Sequence, residues 1–226
     1  MSTPITSMQK EHARLLDNSA ASMTISGADM TPGEFAGVAW VNLTFTGCVF
    51  AGKGNIRLSA TRDCKFIDCR FLAPEHDFGV MTQVTFSHCQ SVGRSIVSGG
   101  DGSKGVLFER CRFSGGGAAP ESHEGIGSTG ETVFRQCSGA GEVLVGGTKL
   151  VIDRCSFDNM TFVAGRQARH GTPLAAVVLI DDSQGTGRWR MVDCRTKKTH
   201  VQNSSFDEIV SDNSESEWDE ALSLAP

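Results

Sequence analysis

Seven of the eight cysteines in this 226-residue chain recur inside one phrase, and that recurrence limits the available folds more than any other feature. Phe45-Thr-Gly-Cys48-Val-Phe50, Phe66-Ile-Asp-Cys69-Arg-Phe71, Phe86-Ser-His-Cys89-Gln-Ser91 and Phe108-Glu-Arg-Cys111-Arg-Phe113 share the pattern Phe-x-x-Cys-x-Phe. Weaker copies surround Cys137, Cys155 and Cys194, with successive cysteines 21, 20, 22, 26, 18 and 39 residues apart. A unit of about 20 to 22 residues cannot bury an apolar face by itself, so it must stack on its neighbours. Short apolar or alternating runs lie between the cysteine segments, among them Ile56-Arg-Leu58, Ser95-Ile-Val97, Val143-Leu-Val145 and Ala175 to Ile180. Glycine-rich corners such as Ser98-Gly99-Gly100-Asp101-Gly102 and Ser114-Gly115-Gly116-Gly117 punctuate them. Strands with tight corners repeated at this period predict an all-β chain, a single-stranded parallel β-helix or solenoid, of about seven or eight coils over residues 38–198.

The chain resembles right-handed parallel β-helix proteins. Cys64-Lys-Phe66-Ile-Asp-Cys69-Arg-Phe71 and the run from Ile152 through Cys155, Phe157, Met160 and Phe162 are locally similar to the pentapeptide-repeat family. The family's five-residue unit places a small residue or Cys two positions before a central Phe or Leu. This resemblance implies a rod that binds a topoisomerase and dimerises through terminal helices.

Cys48, Cys69, Cys89, Cys111, Cys137, Cys155 and Cys194 are predicted to form a structural ladder of reduced thiols packed as small hydrophobes. CxxC pairs and Cys/His clusters with zinc spacing do not occur, and the six histidines are scattered, so neither a metal site nor a cofactor is expected. Gly125-Ile-Gly127-Ser-Thr-Gly130 matches a dinucleotide fingerprint in letters, but it follows no apolar strand and reads as a turn.

The ends of a β-helix need covers. Residues 1–37 are predicted to form an N-terminal cap, with a capping helix over 7–18 that begins at the capping-box-like Thr6-x-x-Gln9. Residues 199–226 form an acidic C-terminal cap or tail with seven acids and no Lys or Arg; the whole chain is −5, so this −7 segment leaves +2 for residues 1–198. Arg188, Arg190, Arg195, Lys197 and Lys198 lie just before it, and one reading folds the tail back on this basic stretch. The other treats Asp207, Glu208, Asp212, Glu215, Glu217, Trp218, Asp219 and Glu220 as a partner-binding segment, apolar anchors ringed by negative charge. That composition suits a protein partner with a basic surface, such as a toxin domain neutralised by an immunity protein. An acidic balance argues against direct nucleic-acid binding. With no long apolar run and no basic-then-apolar start, the sequence predicts a chain that does not span a membrane and works in the cytoplasm.

The enzymatic alternative is a small polysaccharide lyase or hydrolase of the β-helix class. Asp153, Asp181, Asp182 and Asp193, with Arg188 and Arg190, would then share an outer face of neighbouring coils, two carboxylates dividing acid and base roles. The absence of Tyr and a count of three Trp give a poor sugar-stacking surface. The favoured expectation is therefore a non-catalytic protein-binding solenoid, with the acidic tail as its contact.

Overall fold

The computed structural model describes residues 23–30, 37–51, 58–72, 75–92, 94–98, 103–114, 118–120, 130–163, 174–192 and 194–212. No helix occurs among them. Two parallel sheets run side by side, each with a stack nine strands deep. The stack of the first contains Met23–Ser26, Leu43–Thr46, Lys65–Ile67, Val80–Ser87, Lys104–Glu109, Glu131–Arg135, Lys149–Asp153, Leu174–Asp181 and Cys194–Gln202. Ala39–Val41 and Ala60–Arg62 extend the same sheet beside it, pairing with each other, and Ala60–Arg62 pairs in turn with Val80–Ser87. The second contains Asp29–Met30, Val49–Phe50, Arg70–Phe71, Gln90–Val92, Arg112–Ser114, Ser138–Gly146, Ser156–Val163, Gln184–Val192 and Ser205–Asp212. One strand of each, in order, makes a rung, and the rungs are numbered 1 to 9 here. Glu75–Asp77, Arg94–Ser98 and Ala118–Pro120 add a short third sheet. The chain is thus a parallel β-solenoid whose paired strands run from Met23 to Asp212, past the expected limits at 38 and 198. The expected helix over 7–18 lies outside the described residues.

Inside, the repeat's two Phe positions become two columns. Phe45, Phe66, Phe86, Phe108 and Phe134 stack along the first sheet with centroids 4.8–5.0 Å apart and rings within 12° of parallel. That spacing is the strand separation itself, so in-register pairing sets the stack. Phe50 and Phe71 begin the second column, 4.8 Å apart, edge-on to the first at 5.7 and 5.8 Å. Where the repeat drops its second Phe, another large side chain fills the space. Ser91 is buried at rung 4, and Phe78 packs against Phe66, Phe71 and Phe86 there at 5.3–5.8 Å. Gly185 takes the position at rung 8, and Trp189 occupies the vacated volume, its Nε1 only 2.4 Å from where a Cβ would stand.

Each rung turns from first to second sheet at one backbone corner. Gly47, Asp68, His88, Arg110, Gln136, Arg154, Asp182 and Asn203 all have φ between 46° and 62°. Gly, Asn and Asp enter this left-handed region most readily; His88, Arg110, Gln136 and Arg154 are held in it by rung-to-rung bonds. Their N–H groups donate to the carbonyl of the next rung, as in His88 N to Glu109 O and Arg110 N to Arg135 O, at 2.9 and 2.8 Å.

Candidate functional site

The residue after each left-handed corner points inward, and only a small one fits. Cys48, Cys69, Cys89, Cys111, Cys137 and Cys155 occupy it on rungs 2 to 7, and all are buried. Each thiol from Cys48 to Cys137 donates to a carbonyl of the preceding rung: Ile25 O, Phe45 O, Phe66 O, Phe86 O and Phe108 O, at 3.3–3.5 Å. Burial pushes the nearby Cys64 thiol up to about 11, and hydrogen bonding to the adjacent thiol together with burial moves Cys48 and Cys155 upward. Hydrogen bonds from neighbouring thiols, Cys111 foremost, move Cys89 and Cys137 the other way, so the shifts alternate along the column; what its members share is burial and a carbonyl or thiol partner, which is packing. Cys194 stands apart from it: that residue opens the first-sheet strand of rung 9 opposite Leu174, because its phrase falls at a strand start instead of a corner. The corner of rung 8 is Asp182-Ser183, and Ser183 Oγ accepts from Cys155 N–H at 3.0 Å and donates to Asp181 O at 2.7 Å. Among the described residues no cluster of His, Cys, Asp and Glu is arranged to hold a metal ion.

The residues of the enzymatic alternative are divided between two faces. Asp153 and Asp181 are register partners on the outer face of the first sheet, with Asp182 at the adjoining corner. Arg188 and Arg190 alternate outward on the second sheet, while Asp193 lies outside the described residues. Asp153 receives Arg154 Nε at 2.9 Å and Arg135 Nε at 3.1 Å. These guanidiniums, Arg154 foremost, hold its carboxyl below the usual carboxylate range. A glycosidase general acid needs the opposite shift. Asp153 with Arg135 and Arg154 forms a surface ionic cluster.

Part of the acidic tail belongs to the solenoid. Asp207, Glu208 and Asp212 fall in the second-sheet strand of rung 9, which pairs with Gln184–Val192. Glu208 Oε2 accepts from Arg188 Nε at 2.7 Å, so this acid is engaged by the basic stretch of the same chain. Asp207 is exposed. Glu215, Glu217, Trp218, Asp219 and Glu220 lie outside the described residues.

The outer face of the second sheet has a concavity of about 490 Å³ that the sequence reading did not anticipate. Gln90, Arg112, Ser138, Ser156 and Gln184 are successive register partners pointing outward. Two serines between longer side chains leave a notch two rungs deep, with Ser114, Gly139 and Ala140 in its lining. Gly139 is small for an internal reason, since a Cβ there would meet Phe157 at 2.8 Å. Arg112 borders one end and Asp158 the other. Asp158 is positioned by Gly141 N–H at 3.3 Å and Thr186 Oγ1 at 3.0 Å, beside the register shift between Gly139 and Glu142. Hydroxyls with one cation and one anion at opposite ends can seat a polar protrusion from another protein. They assemble neither a nucleophile with its base nor a carboxylate pair. The only advance signal was the loss of long residues at Ser138 and Ser156, and it is meaningful once register is known.

No protein-family model matches this sequence, and no curated protein matches it. Among solved structures, a trypsin-treated form of QnrB1, a plasmid-mediated fluoroquinolone resistance protein, is similar at 14% identity and a TM-score of 0.29, over 91% of this chain and 99% of that one. The assignment as a parallel β-solenoid is carried by the chain's own strand stacks and corner column.

Proposed function

We propose that this chain is a non-catalytic, cytoplasmic protein-binding solenoid whose second sheet docks a partner at the Arg112–Asp158 notch. The observation that carries the reading is that notch, a concavity of about 490 Å³ on the outer face of the second sheet. A backbone fixed by rung-to-rung pairing lets such a face bind with a reduced ordering cost. The pentapeptide-like coils support a topoisomerase as the partner class. Toxin neutralisation is the second reading, and the exposed Asp207 at the last rung favours it.

A supercoiling assay with DNA gyrase tests the first reading, using the intact chain and Ser138→Trp, which fills the notch from an exposed position. Altered supercoiling with the intact chain and none with Ser138→Trp supports it. Unchanged supercoiling with both rejects the topoisomerase. A pull-down from host lysate comparing the intact chain with Asp207→Lys and with a chain cut after Asp212, which leaves rung 9 whole, tests the second. A stoichiometric basic protein lost with either change supports it, and the absence of such a protein, or its retention by both, rejects it.

A further inference from the structure

The outer face of the first sheet has an apolar centre and an ordered charge pattern that the notch does not use. Leu107, Val133, Val151 and Leu179 are successive register partners on rungs 5 to 8, all half-exposed and pointing outward. On one side of this column Glu131 stands above rung 6 and Lys149 above rung 7; on the other side of the same rungs stand Arg135 and Asp153. Each rung therefore reads charge, valine, opposite charge: Glu131-Val133-Arg135, then Lys149-Val151-Asp153. Along the stack Glu131 pairs with Lys149 and Arg135 with Asp153.

We propose that this face is a self-association surface, against which a second copy of the chain packs side by side with its rungs level. A two-fold axis parallel to the stack and passing over the valine column turns each rung end for end. Glu131 then meets Arg135 of the second copy and Lys149 meets its Asp153, each twice by symmetry, while the column packs on itself. Such a pairing is isologous and closed. The antiparallel alternative also brings opposite charges together at these rungs, but it sets Glu109 against Asp181, a like-charge pair. The level arrangement has no such clash on rungs 5 to 8. It has one at rung 3, where Lys65 would face Lys65, so the contact ends near Thr85 of rung 4. Six rungs at ~4.8 Å and five residues at ~3.3 Å give roughly 1,000 Å² of total buried area, the lower bound for a specific interface, so the dimer is weak and forms at micromolar or higher concentration.

Sedimentation equilibrium over a concentration series tests this on the full chain, with Val133→Glu/Val151→Glu as the disrupting variant. A reversible monomer–dimer equilibrium is expected in the wild type, weakened by added salt and weakened at least ~100-fold in the variant. Since the valine changes act on strands, Arg135→Gln/Lys149→Gln serves as a second variant that removes the cross-copy pairs from exposed positions; it should weaken the dimer, and because Glu131 and Asp153 are left unpaired, added salt should no longer weaken it further. Nitroxides at position 107 face each other across the contact in the level arrangement, at the ~10 Å of stacked sheets, whereas the antiparallel one adds about three rungs of offset, ~14 Å, along the stack. A chain that stays monomeric throughout the series would overturn the proposal. So would a dimer unaffected by either variant, or the longer label distance.

Discussion

Replacing Phe108 by Ala removes the fourth of the five stacked rings in the first column. Phe108 is fully buried, stacked 4.8 Å from Phe86 and 5.0 Å from Phe134, with Phe113 edge-on at 5.6 Å. A Phe-to-Ala change in a core costs ~3–5 kcal/mol from lost transfer energy and the residual cavity. Paired strands above and below fix the rung spacing, so the walls cannot close, and three ring contacts of ~0.5–1.5 kcal/mol each disappear. The loss should fall at the upper end, ~4–5 kcal/mol. Phe108→Leu keeps most of the volume and should cost ~1–2 kcal/mol, most of it the lost ring pairing. Because a solenoid couples chiefly neighbour to neighbour, hydrogen exchange read rung by rung is the informative assay alongside urea titration. Amides of rungs 4 to 6 should lose most of their protection, while those of rungs 1, 2, 8 and 9 keep theirs. A loss below ~1.5 kcal/mol for Phe108→Ala, or equal loss of protection on every rung, would refute the argument that a rigid rung spacing amplifies the cavity.

Gly185→Ala should destabilise the chain by ~1–3 kcal/mol in urea titration, because its Cβ would lie 2.4 Å from Trp189 Nε1 and 2.7 Å from the Phe206 ring. Ser183→Ala should cost ~1–3 kcal/mol by stranding the buried Cys155 N–H, whereas Ser183→Cys, matching the rungs below it, should cost less than half as much in the same titration. The thiols of Cys48, Cys64, Cys69, Cys89, Cys111, Cys137 and Cys155 should resist alkylation at pH 8 in the folded chain and react fully in guanidinium, as peptide mapping by mass spectrometry would show. Asp153, its carboxyl pKa depressed in the fold by Arg154 and Arg135, contributes stability that is present above about pH 4 and lost as pH falls through its folded value; Arg135→Gln/Arg154→Gln should raise its NMR pKa toward ~3.9 and shrink that acid-dependent loss.

The Phe-x-x-Cys-x-Phe phrase was readable because two physical demands fall at fixed offsets. An inward ring must stack on the next rung, and a small residue must follow a left-handed corner. Other corners satisfy the second demand without cysteine, as in Gly27-Ala28, Asp182-Ser183 and Asn203-Ser204, and a pattern keyed to the thiol missed them. The same key drew in Cys194, whose strand-start position opposite Leu174 is set by a distant pairing. Phe78 and Trp189 could not be assigned to the core columns from the phrase, since each enters from outside it to fill space left by Ser91 and Gly185. Of the outer acids and cations, sequence counted the members but could not sort Asp153 and Asp181 from Arg188 and Arg190, because that depends on which sheet a strand joins. The notch was hidden for the same reason, as its two serines are adjacent only across the pairing of rungs 6 and 7.

The corner column changes chemistry along its length, with thiols through Cys155 and hydroxyls at Ser183 and Ser204. A thiol there gains little from water, but a hydroxyl can exchange its carbonyl partner for a water molecule at small cost. The hydroxyl end also has the half-covered rings and aliphatics of Val201, Phe206 and Ile209. The rod therefore has a mechanical polarity. Under tension, or in the grip of an unfolding protease that starts at its C-terminus, it should peel from rung 9 toward rung 7. At Cys155 the next step would wet a column with nothing to offer the solvent, so the peeling force should rise sharply there.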